Sequence, residues 1–255
     1  PAKKIVDVSS QYNTVLVEAT VDGWFLNEQP AIALANGRLT GVPLIVGSNS
    51  DESTVTVEED LHAEPTLAHY KAYLKNEFGN QTEADDFFRL YPAASDAEVH
   101  DAFAQFDTDY AFGFPAHRFA WNAARSGQRV WYYYFTYAGR SEAYANLGAF
   151  HGLETRFLTG WLRPSRWGEM TAADQRMIDL LTGYWTQFAK TGDPSGEGLP
   201  PWPKYAAETD QVQELGHEVK QRPIPHGDRF PAFERSLDRR LALLGKDQAG
   251  AAQNK

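Results

Sequence analysis

The chain has 255 residues, 42% of them hydrophobic, and no cysteine. It can therefore bury a sizeable core, while disulfides, thiolate metal sites and a cysteine nucleophile are excluded. Its 24 basic and 34 acidic side chains give a formal net charge of −10, which argues against nucleic acid as a partner.

No apolar run approaches the roughly 18 residues needed to cross a bilayer, so a soluble protein without a membrane partner is expected, cytoplasmic or secreted. Pro1-Ala2-Lys3-Lys4 is neither an initiator methionine nor a signal peptide, and the chain is expected to begin inside a longer one.

In chain order, residues 1–40 are mixed. Thr14-Val15-Leu16-Val17 is a β-type run, Val21-Asp22-Gly23-Trp24 a turn, and Ala31 to Ala35 a brief helix after Pro30, stopped by Asn36-Gly37. Val42-Pro43-Leu44-Ile45-Val46-Gly47 is an unbroken apolar run bounded by turn residues. It predicts a strand buried on both faces, as in a parallel sheet. That strand delivers Ser48-Asn49-Ser50-Asp51-Glu52-Ser53 to its C-terminal end, where open α/β sheets bind ligands.

Four helices are expected next. Leu67, Tyr70, Leu74 and Phe78 share one helical face before Gly79. A second helix, between Thr82 and Pro92, carries Phe87, Phe88 and Leu90. Ser95-Asp96-Ala97-Glu98 reads as a capping box, opening a third with Val99, Ala102, Phe103, Phe106 and Tyr110. Pro115 opens a fourth that ends at Gly127. The acidic run Glu58-Glu59-Asp60 reads as a solvated face.

Val130 to Tyr137, nearly all β-branched or aromatic, is the clearest strand. Its rings read as buried, although alternate rings lining a groove would suit a carbohydrate. A helix after Thr171 carries Met177, Ile178, Leu181, Trp185 and Phe188 to the stop at Thr191-Gly192-Asp193-Pro194, and Leu199 to Pro203 is a turn-rich crossing. Residues 248–255 form a polar tail expected to fray. Strands separated by helices, with no dividing linker and no internal repeat, give an α/β class.

Two loops can carry chemistry. Gly148-Ala149-Phe150-His151-Gly152-Leu153-Glu154 places a histidine among glycines, and histidine suits proton transfer near neutral pH. A histidine in such a loop also reads as a structural hydrogen-bonder. Asp51-Glu52 follows the first buried strand, so a carboxylate and a histidine could meet at one sheet edge, 99 residues apart for Glu52 and His151. The carboxylate would then fix the imidazole tautomer. Of the other histidines, His62 and His69 lack a third ligand at metal spacing, so no metal or other cofactor is expected. His100, His117, His217 and His226 read as surface or capping residues.

Three segments occur in the order found in one family. Val42 to Glu52 resembles the acid-bearing segment of type-B carboxylesterases, the family of para-nitrobenzyl esterases and cholinesterases. Gly148 to Glu154 is similar to their histidine segment. Trp185 to Pro194 with Leu199 to Pro203 resembles their C-terminal signature, and Val21-Asp22-Gly23-Trp24 fits upstream.

The resemblance, over about residues 20–220, implies an α/β-hydrolase fold and ester hydrolysis through a Ser-Glu-His triad. By motif, Glu52 would be the triad acid and His151 the general base. Asp51 would hold the loop, Glu154 would be a supporting carboxylate, and Trp185 a core residue. Phe103, Phe106, Phe112 and Phe114 would form pocket wall, which implies a hydrophobic or aryl ester as substrate. Ser53 departs from the glycine common after the Asp-Glu pair.

No G-x-S-x-G nucleophile segment and no H-G-G-G-type oxyanion run occurs in the chain. Residues 1–255 are therefore expected to be the C-terminal portion of a single α/β-hydrolase domain, with part of its mostly parallel sheet and the flanking helices. Its partner would be the N-terminal half of the same enzyme, as a second chain or a missing segment, and the chain alone would be inactive. A non-catalytic, cholinesterase-like binding or adhesion protein on the same fold is the alternative.

Overall fold

The computed structural model describes residues 20–39, 41–162 and 167–253. The run at Thr14 to Val17 and the last two residues of the tail lie outside them. The chain divides into two compact units, Pro1–Thr40 and Gly41–Lys255.

In the first unit, Asp22 Oδ1 accepts from the backbone N–H groups of Trp24, Phe25 and Leu26, closing the expected turn. These bonds hold its carboxyl below the ordinary aspartate range. Helix α1 spans Pro30–Ala35, with proline in its first turn, where the missing N–H has no intrahelical partner to lose.

The second unit is built on a four-stranded sheet in the order β1 (Leu44–Asn49), β2 (Val130–Phe135), β3 (Gln211–Leu215) and β4 (Val219–Pro223). The first three strands are parallel, and β4 returns antiparallel beside β3. Leu44 pairs with Val130 and Asn49 with Phe135, so β1 and β2 end level.

β2 alternates between two cores. Trp131, Tyr133 and Phe135 face α7 (Leu153–Thr159) and α8 (Ala172–Thr191), where Trp131 packs on Phe188 and Tyr133 on Trp185. Tyr132 turns to the other face, against His117 of α6 (Phe114–Arg125) and Tyr205. The rings of Trp131, Tyr132 and Phe135 are thus buried core, and those of Tyr133 and Tyr134 are half-buried. Gly47 lets β1 approach β2: a Cβ there would collide with the ring and carbonyl of Tyr133.

Between β1 and β2 lie α2 (Val57–Leu61), α3 (Leu67–Phe78), α4 (Gln81–Leu90) and α5 (Asp96–Asp107). They pack around an aromatic core of Tyr70, Phe78, Phe87, Phe103 and Phe106, joined by Phe233 of α9 (Phe230–Gln253).

Three expectations are corrected here. The Ser95 side chain makes no cap bond; instead Glu98 accepts from the Ala94 N–H, and the formed capping box is at Thr171 and Asp174. The third and fourth helices are continuous, joined by a π-helical segment at Thr108–Gly113, with Phe114 N–H donating to Asp109 O, five residues back. Pro115 accounts for the wide turn, because it cannot donate to the preceding turn and its ring crowds the carbonyl there. Finally, Glu58 and Glu59 are exposed as expected, while Asp60 is half-buried against Asp107.

Candidate active site

The two loops that leave β1 and the segment after β2 are zipped together in parallel. Ser50 N–H donates to Phe135 O at 2.9 Å, Asp51 N–H to Ala149 O at 3.3 Å, and His151 N–H to Glu52 O at 3.2 Å. Asp51 and Phe150 form a parallel bridge. Asp51 Oδ2 accepts from Ala149 N–H at 2.9 Å and from the Ser50 hydroxyl. Gly148, at φ +63°, passes directly over this carboxylate, and a Cβ there would collide with it. Gly148 thus serves close approach to Asp51, whereas Gly152, at φ +73°, serves the left-handed backbone that opens α7.

This zipper brings Glu52 and His151 together. Glu52 begins a 3₁₀ turn, Glu52–Val55. Its Oε2 lies 2.7 Å from His151 Nδ1, and its Oε1 accepts from Asn49 N–H at 2.8 Å. A carboxylate accepting at Nδ1 fixes the proton there and leaves the Nε2 lone pair free. The carboxylate is 7% exposed and the imidazole 59%, so the acid is shielded while the base is reachable. Burial pushes the Glu52 carboxyl above the ordinary glutamate value, opposed by the Asn49 N–H and by His151.

Glu154, in the first turn of α7, accepts from Asn49 Nδ2 and from Thr155 Oγ1. The same Asn49 nitrogen donates to Phe150 O at 2.9 Å. Asn49 is wholly buried and ties β1 to both the acid and the histidine segment. Its role escaped the sequence reading, although a polar side chain just past an apolar run was a signal.

Of the four phenylalanines expected in the pocket wall, only Phe112 contacts the dyad, its ring centroid 5.0 Å from that of His151. Phe103 and Phe106 are sealed in the aromatic core among α3 to α5, and Phe114 packs on Phe230 and Phe233. Those three side chains pack between helices.

Three further histidines pair with carboxylates, one of them, His100, with its exposed neighbour Asp101 at 3.1 Å, in the surface role expected. His117 Nε2 lies 2.9 Å from Asp210 Oδ1, and His226 Nδ1 lies 2.8 Å from Asp109 Oδ2, which also accepts from Tyr91. These last two are structural ties and not the surface or capping roles expected. Their partners are distant in sequence, so no local pattern announced them. Among the described residues no group of three or more His, Asp and Glu side chains could hold a metal, and no helix is long and apolar enough to cross a membrane.

Comparison with known proteins agrees with this architecture. The profile of the carboxylesterase family matches residues 1–230. The chain is 30% identical over 217 residues to a para-nitrobenzyl esterase of Bacillus subtilis (strain 168), covering 83% of this chain and 42% of that protein. It is 31% identical over 209 residues to a fumonisin B1 esterase of Sphingopyxis macrogoltabida, covering 78% and 37%. A solved PNB esterase structure superposes with a TM-score of 0.70 at 25% identity, over 91% of this chain and 48% of that one.

The chain thus spans less than half the length of these relatives. Its mostly parallel sheet with flanking helices is part of an α/β-hydrolase fold. On the family profile, these relatives and the shared fold, the chain belongs to the carboxylesterase family.

Proposed function

We propose that this chain supplies the acid and the base of a Ser-Glu-His triad that hydrolyses carboxylic esters. The serine and the oxyanion donors would come from the part of such an enzyme that precedes this sequence, as a second chain or a covalent continuation. The observation that carries the reading is the Glu52–His151 pair, 2.7 Å apart at the C-terminal edge of two level parallel strands, in a chain of the carboxylesterase family. The names of its relatives, para-nitrobenzyl and fumonisin B1 esterase, support the same reaction class.

In the mechanism, His151 Nε2 takes the serine proton as Oγ attacks the ester carbonyl. Glu52 holds Nδ1–H and stabilises the imidazolium that forms. Collapse of the tetrahedral intermediate expels the alcohol, which takes the proton from Nε2, and leaves an acyl-serine. Water, deprotonated by His151, then releases the acid and restores the serine. Phe112 beside the imidazole favours an ester with an apolar or aryl group.

A fluorophosphonate probe with intact-mass measurement tests the reading. The expected result is one label on a serine outside this chain in the complete protein, abolished when His151 is replaced by alanine. A complete, folded protein that takes up no label would instead support a cholinesterase-like binding protein.

A further inference from the structure

We propose that Asp107 and Thr108, where α5 passes into the π-helical segment, are positioning residues for the Glu52–His151 dyad and act through Ser53. The inference rests on the esterase reading for its catalytic meaning, but its geometry is independent of it.

Ser53 directly follows the acid and is fully buried. Its Oγ–H donates to Asp107 Oδ2 at 2.7 Å, and its N–H donates to Thr108 Oγ1 at 3.1 Å. These bonds fix the 3₁₀ turn at a second point, on an element remote in sequence. The turn's own backbone bonds are long, with Thr54 N–H to Asp51 O at 3.3 Å and Thr56 N–H to Ser53 O at 3.2 Å. Thr54 Oγ1 also donates to Asp51 O at 2.9 Å and to Leu147 O at 2.7 Å, tying the turn to the histidine segment, while the Ser53 bonds tie it to α5.

The Glu52 carboxylate is gripped at its tip by Asn49 N–H and His151. Its backbone must therefore stay in register with the end of β1, and the Ser53 tether adds a hold from α5 to the zipper bonds that set that register. A glycine at position 53 would provide no hydroxyl for Asp107.

The anchoring element also reaches the other member of the dyad, because Phe112 of the same π-helical segment lies against the His151 ring. It is itself rigidly held. Phe106 beside it is wholly buried, Tyr91 OH donates to Asp109 at 2.8 Å, and His226 Nδ1 meets the same carboxylate. One stretch, buried at Asp107 to Asp109, thus holds the turn that bears the acid by hydrogen bonds and lies against the base through Phe112. A device of this kind keeps reacting groups within the narrow tolerance that proton transfer needs.

The test reads the His151 tautomer by long-range ¹H–¹⁵N correlation NMR in this full chain, at a pH where the ring is neutral. The Nδ1–H form is expected to dominate in the wild type and to be lost in Glu52→Ala. Asp107→Asn keeps an acceptor for Ser53 and is expected to retain it. Thr108→Val and the double variant Ser53→Ala with Asp107→Asn each cut one tether without leaving a buried charge unpaired. Both are expected to shift the population toward that of Glu52→Ala while unfolding cooperatively in urea.

An Nδ1–H population identical to the wild type in these folded variants would overturn the proposal. Retention of the Nδ1–H form in Glu52→Ala would instead overturn the dyad itself, and with it the esterase reading. In the complete enzyme, the same tether variants are expected to lower kcat about tenfold with KM little changed.

Discussion

Replacing Asp107 by asparagine is expected to stabilise the protein above about pH 7. Burial raises the Asp107 carboxyl from its ordinary 3.8 to about 6; the Ser53 hydroxyl opposes this, while Asp60 and Glu77 add to it. The folded state therefore binds more protons than the unfolded chain between these two values. Stability conferred by the protonated form is complete below 3.8 and is lost as the pH rises through about 6. The accumulated loss is on the order of 3 kcal/mol at alkaline pH.

Asparagine is nearly isosteric, cannot ionise, and offers Oδ1 to the Ser53 hydroxyl. It removes the charge penalty and keeps the bond. Urea unfolding followed by circular dichroism at about pH 8 and about pH 5 measures the effect. The expected gain is up to about 3 kcal/mol at the higher pH and roughly half of that at the lower. A variant no more stable than the wild type at about pH 8 would refute the claim that Asp107 is a destabilised carboxylate.

Two further substitutions probe the loops. Gly148→Ala places a methyl group on the Asp51 carboxylate in a left-handed backbone, and is expected to lower stability by about 2–4 kcal/mol in the same urea assay. Asn49→Ala removes the donor shared by Phe150 O and Glu154. A loss of about 1–3 kcal/mol is expected from those buried, unsatisfied acceptors, together with reduced activity in the complete enzyme.

The parts of the fold that were legible in the sequence are those whose residues carry their own signal. β2 is a run of aromatics, and α3 and α8 have apolar faces with clear stops. The acid and histidine loops were legible by motif, and the sheet edge explains why residues 99 apart can meet.

β3 and β4 were not legible. Gln211-Val212-Gln213-Glu214-Leu215 has two apolar residues, yet Val212 and Gln213 are buried between neighbours. β4 is an exposed edge strand of polar residues, in which Pro223 is tolerated because an edge position can forgo a ladder bond. β1 also begins two residues later than its apolar run suggested and extends to Asn49, because pairing with β2 sets its end, not hydrophobicity.

The supports of the site were hidden for a related reason. Asp107, Thr108 and Asn49 act through bonds to residues 54, 55, 101 and 105 positions away, and no local pattern encodes such partners. Ser53, a departure from the expected glycine, was the one visible trace of the Asp107 tether.

The most direct test of the central claim is hydrolysis of a short-chain nitrophenyl ester. The purified chain alone is expected to give no turnover above buffer. The complete enzyme, with its serine-bearing part restored, is expected to turn over and to lose at least about 10³-fold in kcat when His151 is replaced by alanine. Turnover by the isolated chain that disappears in His151→Ala would contradict the division of the triad. Full activity of the complete His151→Ala enzyme would contradict the assignment of the base.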